Sequence, residues 1–296
     1  MNKASTPSLM QRMHDLPKTI RSTNVFVNPQ KKLRNGWWIA IYFLLLASML
    51  VPLSIWSREN GGAIAMWQQA LISLIAAFVL QLLRRQPISE MFGRFDLNWL
   101  KDFGIGSLMG SVLMLLPALF LFVGGWVTWR AGTITSTELL SALMMCAAVA
   151  IAEEVVFRGV FLQRLKAGVG IWPAQIFVAA YFLLTHSANP GMDEHVRLLA
   201  SVNIFLASIL FGMTYLKTNS LAMPLALHMM ANFVQGSILG FGVSGHNEAG
   251  LMQALLGAHP VWLTGGQFGL EASAPGLITV ILFIALVAKR KSVELA

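Results

Sequence analysis

The feature that most constrains the fold of this chain is a series of apolar runs, each close to the length needed to cross a lipid bilayer. The hydrocarbon core of a membrane is about 30 Å thick, which about 20 helical residues span. We predict about eight such runs, at 37–57, 62–83, 104–126, 138–157, 170–187, 197–216, 220–241 and 274–288. The sequence therefore predicts an all-α, polytopic membrane bundle over residues 36–296, preceded by a polar N-terminal tail at residues 1–35.

Composition favours the same class of protein. Hydrophobic residues make up 56% of the chain and charged residues 11%, whereas a soluble domain usually carries about 25% charged residues. The net charge of +8 does not indicate a nucleic-acid partner, because the basic residues form short clusters between apolar runs and no basic face with interleaved aromatic residues. The lipid bilayer is the partner that this composition predicts.

The basic residues predict an orientation. Of the 21 Lys and Arg residues, 18 fall on one side of the predicted spans, and only Arg58, Arg130 and Arg197 fall on the other. Under the positive-inside rule both termini are then cytoplasmic. The first apolar run is too long for the apolar region of a cleavable signal peptide, which predicts an uncleaved anchor. These features favour a multi-pass protein of a bacterial inner membrane.

Two adjacent glutamates, Glu153 and Glu154, close the fourth apolar run. A carboxylate at the centre of a membrane helix costs about 2.5–3.5 kcal/mol on insertion scales. Glu154 and Arg158 are spaced i,i+4 and face each other on one helix side, while Glu153 is rotated about 100° away. We predict that Arg158 neutralises Glu154 and that Glu153 is free to act as a base. The alternative is that both glutamates lie at the interface and pair with basic loop residues.

Three further polar residues lie on two later apolar runs. His186 ends the fifth run, and His228 and Asn232 lie one helical turn apart on the seventh. Two hydrogen-bond donors on one helix face can stabilise a developing oxyanion. For each histidine alone the alternative is a hydrogen bond between neighbouring helices. Polar groups on three separate spans together indicate a site inside the bundle.

The three blocks of polar residues resemble the CPBP family of intramembrane proteases, which includes the type II CAAX prenyl endopeptidases and bacteriocin-processing or self-immunity (Abi) proteins. The resemblance covers about residues 137–240, and extends to 288 if the following segment is included. It implies an all-helical membrane fold with a buried site and hydrolysis of a peptide bond. The blocks that carry it are Glu153-Glu154-x-x-x-Arg158, Phe182-x-x-x-His186 and His228-x-x-x-Asn232.

The resemblance also implies a role for each residue. Glu153 would activate water with the help of His186, and His228 and Asn232 would stabilise the tetrahedral oxyanion. The substrate implied is a membrane-associated protein or peptide, and the sequence leaves open whether it carries a prenylated CAAX tail. The oligomeric state is also left open.

The supporting pair Glu154 and Arg158 would orient the helix and tune the site. A metal-dependent mechanism is an alternative, because Glu153, His186 and His228 form a His₂Glu set like that of some zinc peptidases. The chain contains no His-Glu-x-x-His motif, and an asparagine is a poor zinc ligand. We therefore predict a metal-independent mechanism and assign no cofactor.

Two other classes of function remain open from the sequence. A proton-coupled transporter would also keep Glu and His residues inside a bundle, although it would often show inverted repeats, which this sequence lacks. A non-catalytic immunity or scaffold protein would keep the fold without needing the site. The intact set of polar positions favours the peptidase.

Overall fold

The computed structural model describes residues 24–28, 31–247 and 249–290. Of the predicted N-terminal tail, only residues 24–28 and 31–35 fall within these ranges. Both chain termini, and with them Lys3, Arg12, Lys18, Arg21 and Lys291, lie outside the described residues.

The described ranges fold mainly into helices with only two short strands, which agrees with the predicted fold class. The α-helices are α1 Asn35–Glu59, α2 Met66–Arg84, α3 Ser89–Phe92, α4 Leu97–Val123, α5 Ser136–Glu154, α6 Gln163–Val169, α7 Ile171–His186, α8 Arg197–Thr218, α9 Ala222–Asn232, α10 Val261–Thr264 and α11 Ala274–Lys289. Two π-helices, Val155–Leu162 and Phe233–Ile238, extend α5 and α9, and a single 3₁₀ turn spans Leu270–Ala272. Two short strands, β1 Thr128–Ala131 and β2 Met252–Leu255, pair antiparallel with Thr128 opposite Leu255.

Within the described residues, five helices are long and apolar enough to cross a membrane: Asn35–Glu59, Met66–Arg84, Leu97–Val123, Ser136–Val169 and Arg197–Thr218. Two shorter apolar helices, Ile171–His186 and Ala274–Lys289, fall on the fifth and eighth predicted runs. The seventh predicted run is covered by α9 and the second π-helix. Every predicted run is thus helical, and the number of complete spans and the orientation of the termini stay predictions.

The helix on the fourth predicted run, which is α5 with its π-helical and α6 continuations, extends beyond the C-terminal bound that we predicted. We predicted a span over 138–157 with the glutamates near its end, but the helix runs without interruption from Ser136 to Val169, a length of 34 residues. Glu153 and Glu154 therefore lie near its middle. Arg158 marked the end of the run in the sequence, but in the fold it is fully buried and the helix continues past it.

Local sequence signals set where these helices start. Thr135 caps α5, since its side chain accepts a hydrogen bond from the Glu138 backbone N–H, and the Glu138 carboxylate accepts one from the Thr135 N–H in return. This reciprocal arrangement satisfies backbone donors that a helix start would otherwise leave unpaired. Ser273 caps α11 in a similar way by accepting from the Gly276 N–H at 3.0 Å.

Two glycines bring α9 close to α4. A Cβ atom at Gly106 would collide with the carbonyl oxygen of Met223, and one at Gly110 would collide with that of Leu227. Small residues permit such close approach of membrane helices. Because α9 carries His228 and Asn232, this packing fixes the depth and rotation of half of the candidate site.

The connections between helices gather at two ends of the bundle. At one end, Arg290 pairs with Asp102 at 2.9 Å and Ser220 donates to the carbonyl of Phe92. We call this end the cation-rich face, because 12 of the described Lys and Arg residues lie there: Lys31, Lys32, Arg34, Arg84, Arg85, Arg94, Lys101, Arg164, Lys166, Lys217, Lys289 and Arg290.

The opposite end, which we call the cation-poor face, holds the β1–β2 pair and the segments at 60–65, 187–196, 239–247 and 249–273. Contacts between loops hold it together, since Asn189 donates to the carbonyl of Ser244 at 3.1 Å and Ser244 donates to Glu271. Of the described basic residues, Arg58, Arg130 and Arg197 lie at this end.

Candidate functional site

The centre of the bundle holds a buried cluster of three charged or titratable side chains. Glu154 Oε1 accepts hydrogen bonds from Arg158 Nη1 at 2.8 Å and from His228 Nδ1 at 2.9 Å. Glu154 and Arg158 are both fully buried. The i,i+4 pairing that the sequence predicted is therefore present, and the same carboxylate also binds a histidine from another helix.

The guanidinium of Arg158 is held on several sides. Its Nη2 donates to the hydroxyl of Ser208 at 2.8 Å and to the Ser208 carbonyl at 3.1 Å. The aromatic rings of Phe182 and Phe211 lie 5.0 and 5.1 Å from its central carbon. Ring faces attract a cation in such geometry. The positive charge of Arg158 is therefore stabilised in the absence of solvent by the Glu154 carboxylate, two oxygens of Ser208 and two aromatic rings.

Glu153 lies in a different environment from its neighbour. Its side chain is 23% exposed, and its Oε1 and Oε2 lie 3.9 Å from His186 Nε2 and from His228 Nε2 respectively. These distances are too long for direct hydrogen bonds. They have the length at which a single water can bridge two polar groups.

Both histidines are oriented by partners at Nδ1. His186 Nδ1 lies 2.8 Å from the carbonyl oxygen of Phe182, to which it can only donate. His228 Nδ1 lies against the Glu154 carboxylate, and its ring stacks on Phe211 at 5.0 Å. A neutral ring with its proton on Nδ1 carries its lone pair on Nε2. In both residues the Nε2 atom therefore faces Glu153 and can accept a proton.

A cavity of about 450 Å³ lies beside these side chains. Asn232 ends α9 one turn beyond His228 and adds its amide to the wall. The cavity brings together the four predicted site residues that the sequence separates by up to 79 positions: Glu153, His186, His228 and Asn232. Glu154 and Arg158 lie behind the wall.

The cavity wall also contains a carboxylate that the sequence analysis missed. Glu271 Oε2 accepts hydrogen bonds from the backbone N–H of Ser244 at 2.9 Å and from its hydroxyl at 2.8 Å. Burial raises the pKa of Glu271, against the opposing effects of Ser244 and of nearby His186 and His228. No helical spacing connects Glu271 with the other site residues, so the sequence carried no signal for it.

His246 is a further residue that the sequence analysis did not assign to the site. It is exposed, and it also lines the cavity, where the loop after the second π-helix meets Asn189. A backbone bridge between Val243 and His246 closes this loop into a turn. Its position follows from contacts distant in sequence, which residue type alone does not indicate.

The two π-helices begin directly after site residues. The first starts at Val155, next to Glu154, and the second at Phe233, next to Asn232. A π-helical turn widens the helix by one residue per turn and is often found at functional sites. Arg158 lies inside the first π-helix, where the wider turn changes its rotation relative to a straight α-helix.

The fit of a metal ion can be tested on the donors present. Among the described residues, no group of three or more His, Cys, Asp or Glu side chains is arranged to hold a metal ion. Glu153, His186 and His228 face one another, but the fully buried Glu154 is committed to Arg158 and His228. The three side chains can exchange protons, and the metal-independent mechanism stays a prediction.

Comparison with known families gives one match. Residues 135–234 match the family model described as "Type II CAAX prenyl endopeptidase Rce1-like". The matched segment contains all six residues that the sequence analysis proposed for the site. No curated protein gives a significant match to the chain.

Proposed function

We propose that this chain, whose segment 135–234 belongs to the Rce1-like family of type II CAAX prenyl endopeptidases, is an intramembrane endopeptidase in which Glu153 activates water. The family implies a peptidase and a peptide or membrane-protein substrate. One observation carries the assignment of the base. Glu153 is the carboxylate on the cavity wall whose two oxygens each face a histidine Nε2 at 3.9 Å.

In the proposed reaction, a water molecule between Glu153 and His186 loses a proton to the carboxylate as its oxygen attacks the carbonyl carbon of the peptide bond. A base held at hydrogen-bond reach of the proton it removes typically contributes about 10²–10⁴-fold to the rate. The tetrahedral intermediate then breaks the C–N bond. The proton held by Glu153 passes to the departing nitrogen, so that the carboxylate is regenerated.

The oxyanion is stabilised by side chains on α9. The amide of Asn232 can donate in any protonation state of the site, because its NH₂ group carries two donors. His228 can donate from Nε2 only as an imidazolium, because in the neutral ring the single proton is on Nδ1, where it is hydrogen-bonded to Glu154. Asn232 is therefore the constant donor, and His228 adds to it when it is doubly protonated.

Glu154 and Arg158 act behind the wall. By accepting a hydrogen bond from Nδ1–H, Glu154 sets the tautomer of His228 and turns its Nε2 towards Glu153. Arg158 holds Glu154 in place and offsets its charge. Partners of this kind restrict a functional histidine to one orientation, and they explain why two adjacent glutamates have separate tasks.

The test is a comparison of membranes that contain active protein with membranes that contain Glu153→Gln at equal abundance. New peptide termini are measured by mass spectrometry. We expect a set of cleavage products that depends on Glu153 and is absent with the variant. If the two membranes contain the same termini while both proteins are folded, the proposed activity is wrong.

A further inference from the structure

The cavity reaches the surface at the cation-poor face. The residues that line this end come from loops, and they are His246, which is exposed, and the part-buried Asn189, Ser244 and Glu271. From this opening the cavity runs inwards to Glu153. A peptide that entered here would pass the loops first and reach the proposed base at the inner end.

Towards the cation-rich face the site is closed. Behind Glu153 lie Arg158 and Leu162, both fully buried, and the aromatic rings of Phe157 and Phe182, each about 5% exposed. Edge-to-face packing joins these two rings at 4.9 Å. The residues that line the cavity include no Lys or Arg and none of the loop residues of the cation-rich face.

A second side of the cavity is apolar. Met145, Cys146 and Val149 line it from α5, and Met66 adds the start of α2. Met145 is 42% exposed. A wall of this kind suits the apolar part of a chain that is anchored in the membrane.

The numbers of Lys and Arg residues at the two faces indicate which face lies in the cytoplasm. Arg158 is buried in the centre of the bundle and lies at neither face. The described basic residues then divide into 12 at the cation-rich face and 3 at the cation-poor face. The excess of Lys and Arg marks the cytoplasmic side of a membrane protein, so the cavity opens away from the cytoplasm.

From this geometry we propose that the site takes its peptide from the non-cytoplasmic side of the membrane. The inference rests on the proposed function and narrows its substrate class. The substrate is the outward-facing segment beside the membrane anchor of another protein. A prenylated C-terminal tail, which is attached and held on the cytoplasmic leaflet, does not reach this opening.

The orientation is tested with single cysteines in a Cys146→Ala background. Asn247→Cys places a thiol on an exposed residue beside the opening, and Arg94→Cys places one on an exposed residue of the opposite face. Intact cells are treated with a membrane-impermeant maleimide before and after permeabilisation. We expect labelling of Asn247→Cys in intact cells and of Arg94→Cys only after permeabilisation. The reverse pattern overturns the proposal.

Entry is tested with a quenched fluorescent peptide that carries an acyl anchor and does not cross membranes. It is added to sealed vesicles of right-side-out and of inverted orientation, with Glu153→Gln vesicles as the control. We expect cleavage in right-side-out vesicles and its loss in the inverted ones. Cleavage confined to inverted vesicles overturns the proposed entry side.

The two experiments separate this proposal from the proposed function. If the labelling is as expected but neither kind of vesicle cleaves the peptide beyond the Glu153→Gln control, the endopeptidase assignment fails and the substrate class falls with it. If cleavage occurs but labelling is reversed, the endopeptidase stands and the entry side is wrong.

Discussion

In two places among the described residues, one carboxylate binds an arginine and a third side chain, and these two clusters lie in contrasting environments. In the bundle centre, Glu154 binds Arg158 and His228 with no solvent exposure of the carboxylate or the guanidinium. At the cation-rich face, Glu90 binds Arg84 at 3.0 Å and Arg164 at 2.9 Å, and its side chain is 30% exposed. We call these the central cluster and the face cluster.

The contrast shows that a carboxylate–arginine pair can either join helices or orient a third side chain. Burial raises the pKa of Glu90, but hydrogen bonds from Arg84 and Gln81 and the charge of Arg164 outweigh it and lower the pKa to about 2. The face cluster therefore ties α2, α3 and α6 together with charges that water helps to support. A fully buried ion pair is often no more stabilising than packed apolar groups. The central cluster is thus better explained by its hold on His228 than by stability.

The strongest test of this contrast exchanges two carboxylates for their amides: Glu153, which lies beside the central cluster, and Glu90, which belongs to the face cluster. Glu153→Gln should lower turnover by about 10²–10⁴-fold or more, since it removes the base and little volume. Glu90→Gln should leave turnover per folded molecule unchanged, because Glu90 lies outside the cavity. Turnover of an identified substrate by purified protein is the measurement. Wild-type turnover by Glu153→Gln would refute the catalytic assignment.

Removing one arginine from each cluster should lower the free energy of unfolding by different amounts. Arg158→Ala leaves the Glu154 carboxylate buried without its cation, which costs about 3–5 kcal/mol. Arg164→Ala leaves Glu90 paired with Arg84, and loss of a part-exposed ion pair costs about 1 kcal/mol. Unfolding of both variants in detergent gives the two free energies. Equal losses would mean that burial does not distinguish the clusters.

The proposed oxyanion donor can be compared with a matched asparagine in the same cavity. Asn232→Ala should lower turnover by about 10²–10³-fold, the usual cost of losing one oxyanion donor. Asn203→Ala removes the same amide from α8 on another part of the wall, and we expect a much smaller loss. The measurement is turnover corrected for folded protein. Similar losses in both variants would assign Asn232 to the shape of the cavity rather than to the oxyanion.

Much of the arrangement was accessible from sequence because it depends on local spacing. The apolar runs predicted the helices, and the i,i+4 interval placed Arg158 on Glu154. The order of the three polar blocks also predicted which residues would meet, since each block lies on its own helix. Spacing along one helix is a strong signal when the helix forms as expected.

What the sequence did not reveal depends on contacts between distant residues. Glu271 joins the cavity through Ser244, 27 positions away, and no periodic pattern links them. The sequence did not predict that the helix starting at Ser136 continues to Val169. A charged residue such as Arg158 usually indicates the end of a membrane span, and its partner Glu154 was not known to be buried with it. The first π-helix left no compositional trace, because Val155–Leu162 is as apolar as the α-helical spans.

Acid should affect the face cluster in a characteristic way. The pKa of Glu90 is lowered from 4.5 to about 2, so its contribution to stability is present above pH 4.5 and is lost as the pH falls towards 2. Allowing for solvent screening of a part-exposed group, we expect a loss of about 1–2 kcal/mol. Unfolding of wild type and Glu90→Gln across this range measures it. A difference that stays constant with pH would contradict the assignment.

The smallest expected effect is the change in activity when metal is removed. It decides whether Glu153, His186 and His228 act as acid–base groups or as metal ligands. If Glu153, His186 and His228 were ligands, their Nε2 and carboxylate atoms would need to converge on one ion. Yet no such group of three is arranged to hold a metal among the described residues. The Nδ1 partners of both histidines leave Nε2 free to exchange a proton with Glu153 through water. We therefore expect protein treated with a chelator and freed of metal to keep most of its activity, while Glu153→Gln loses it. Near-stoichiometric zinc in active protein, with activity lost on its removal and restored on its return, would instead make these three residues ligands.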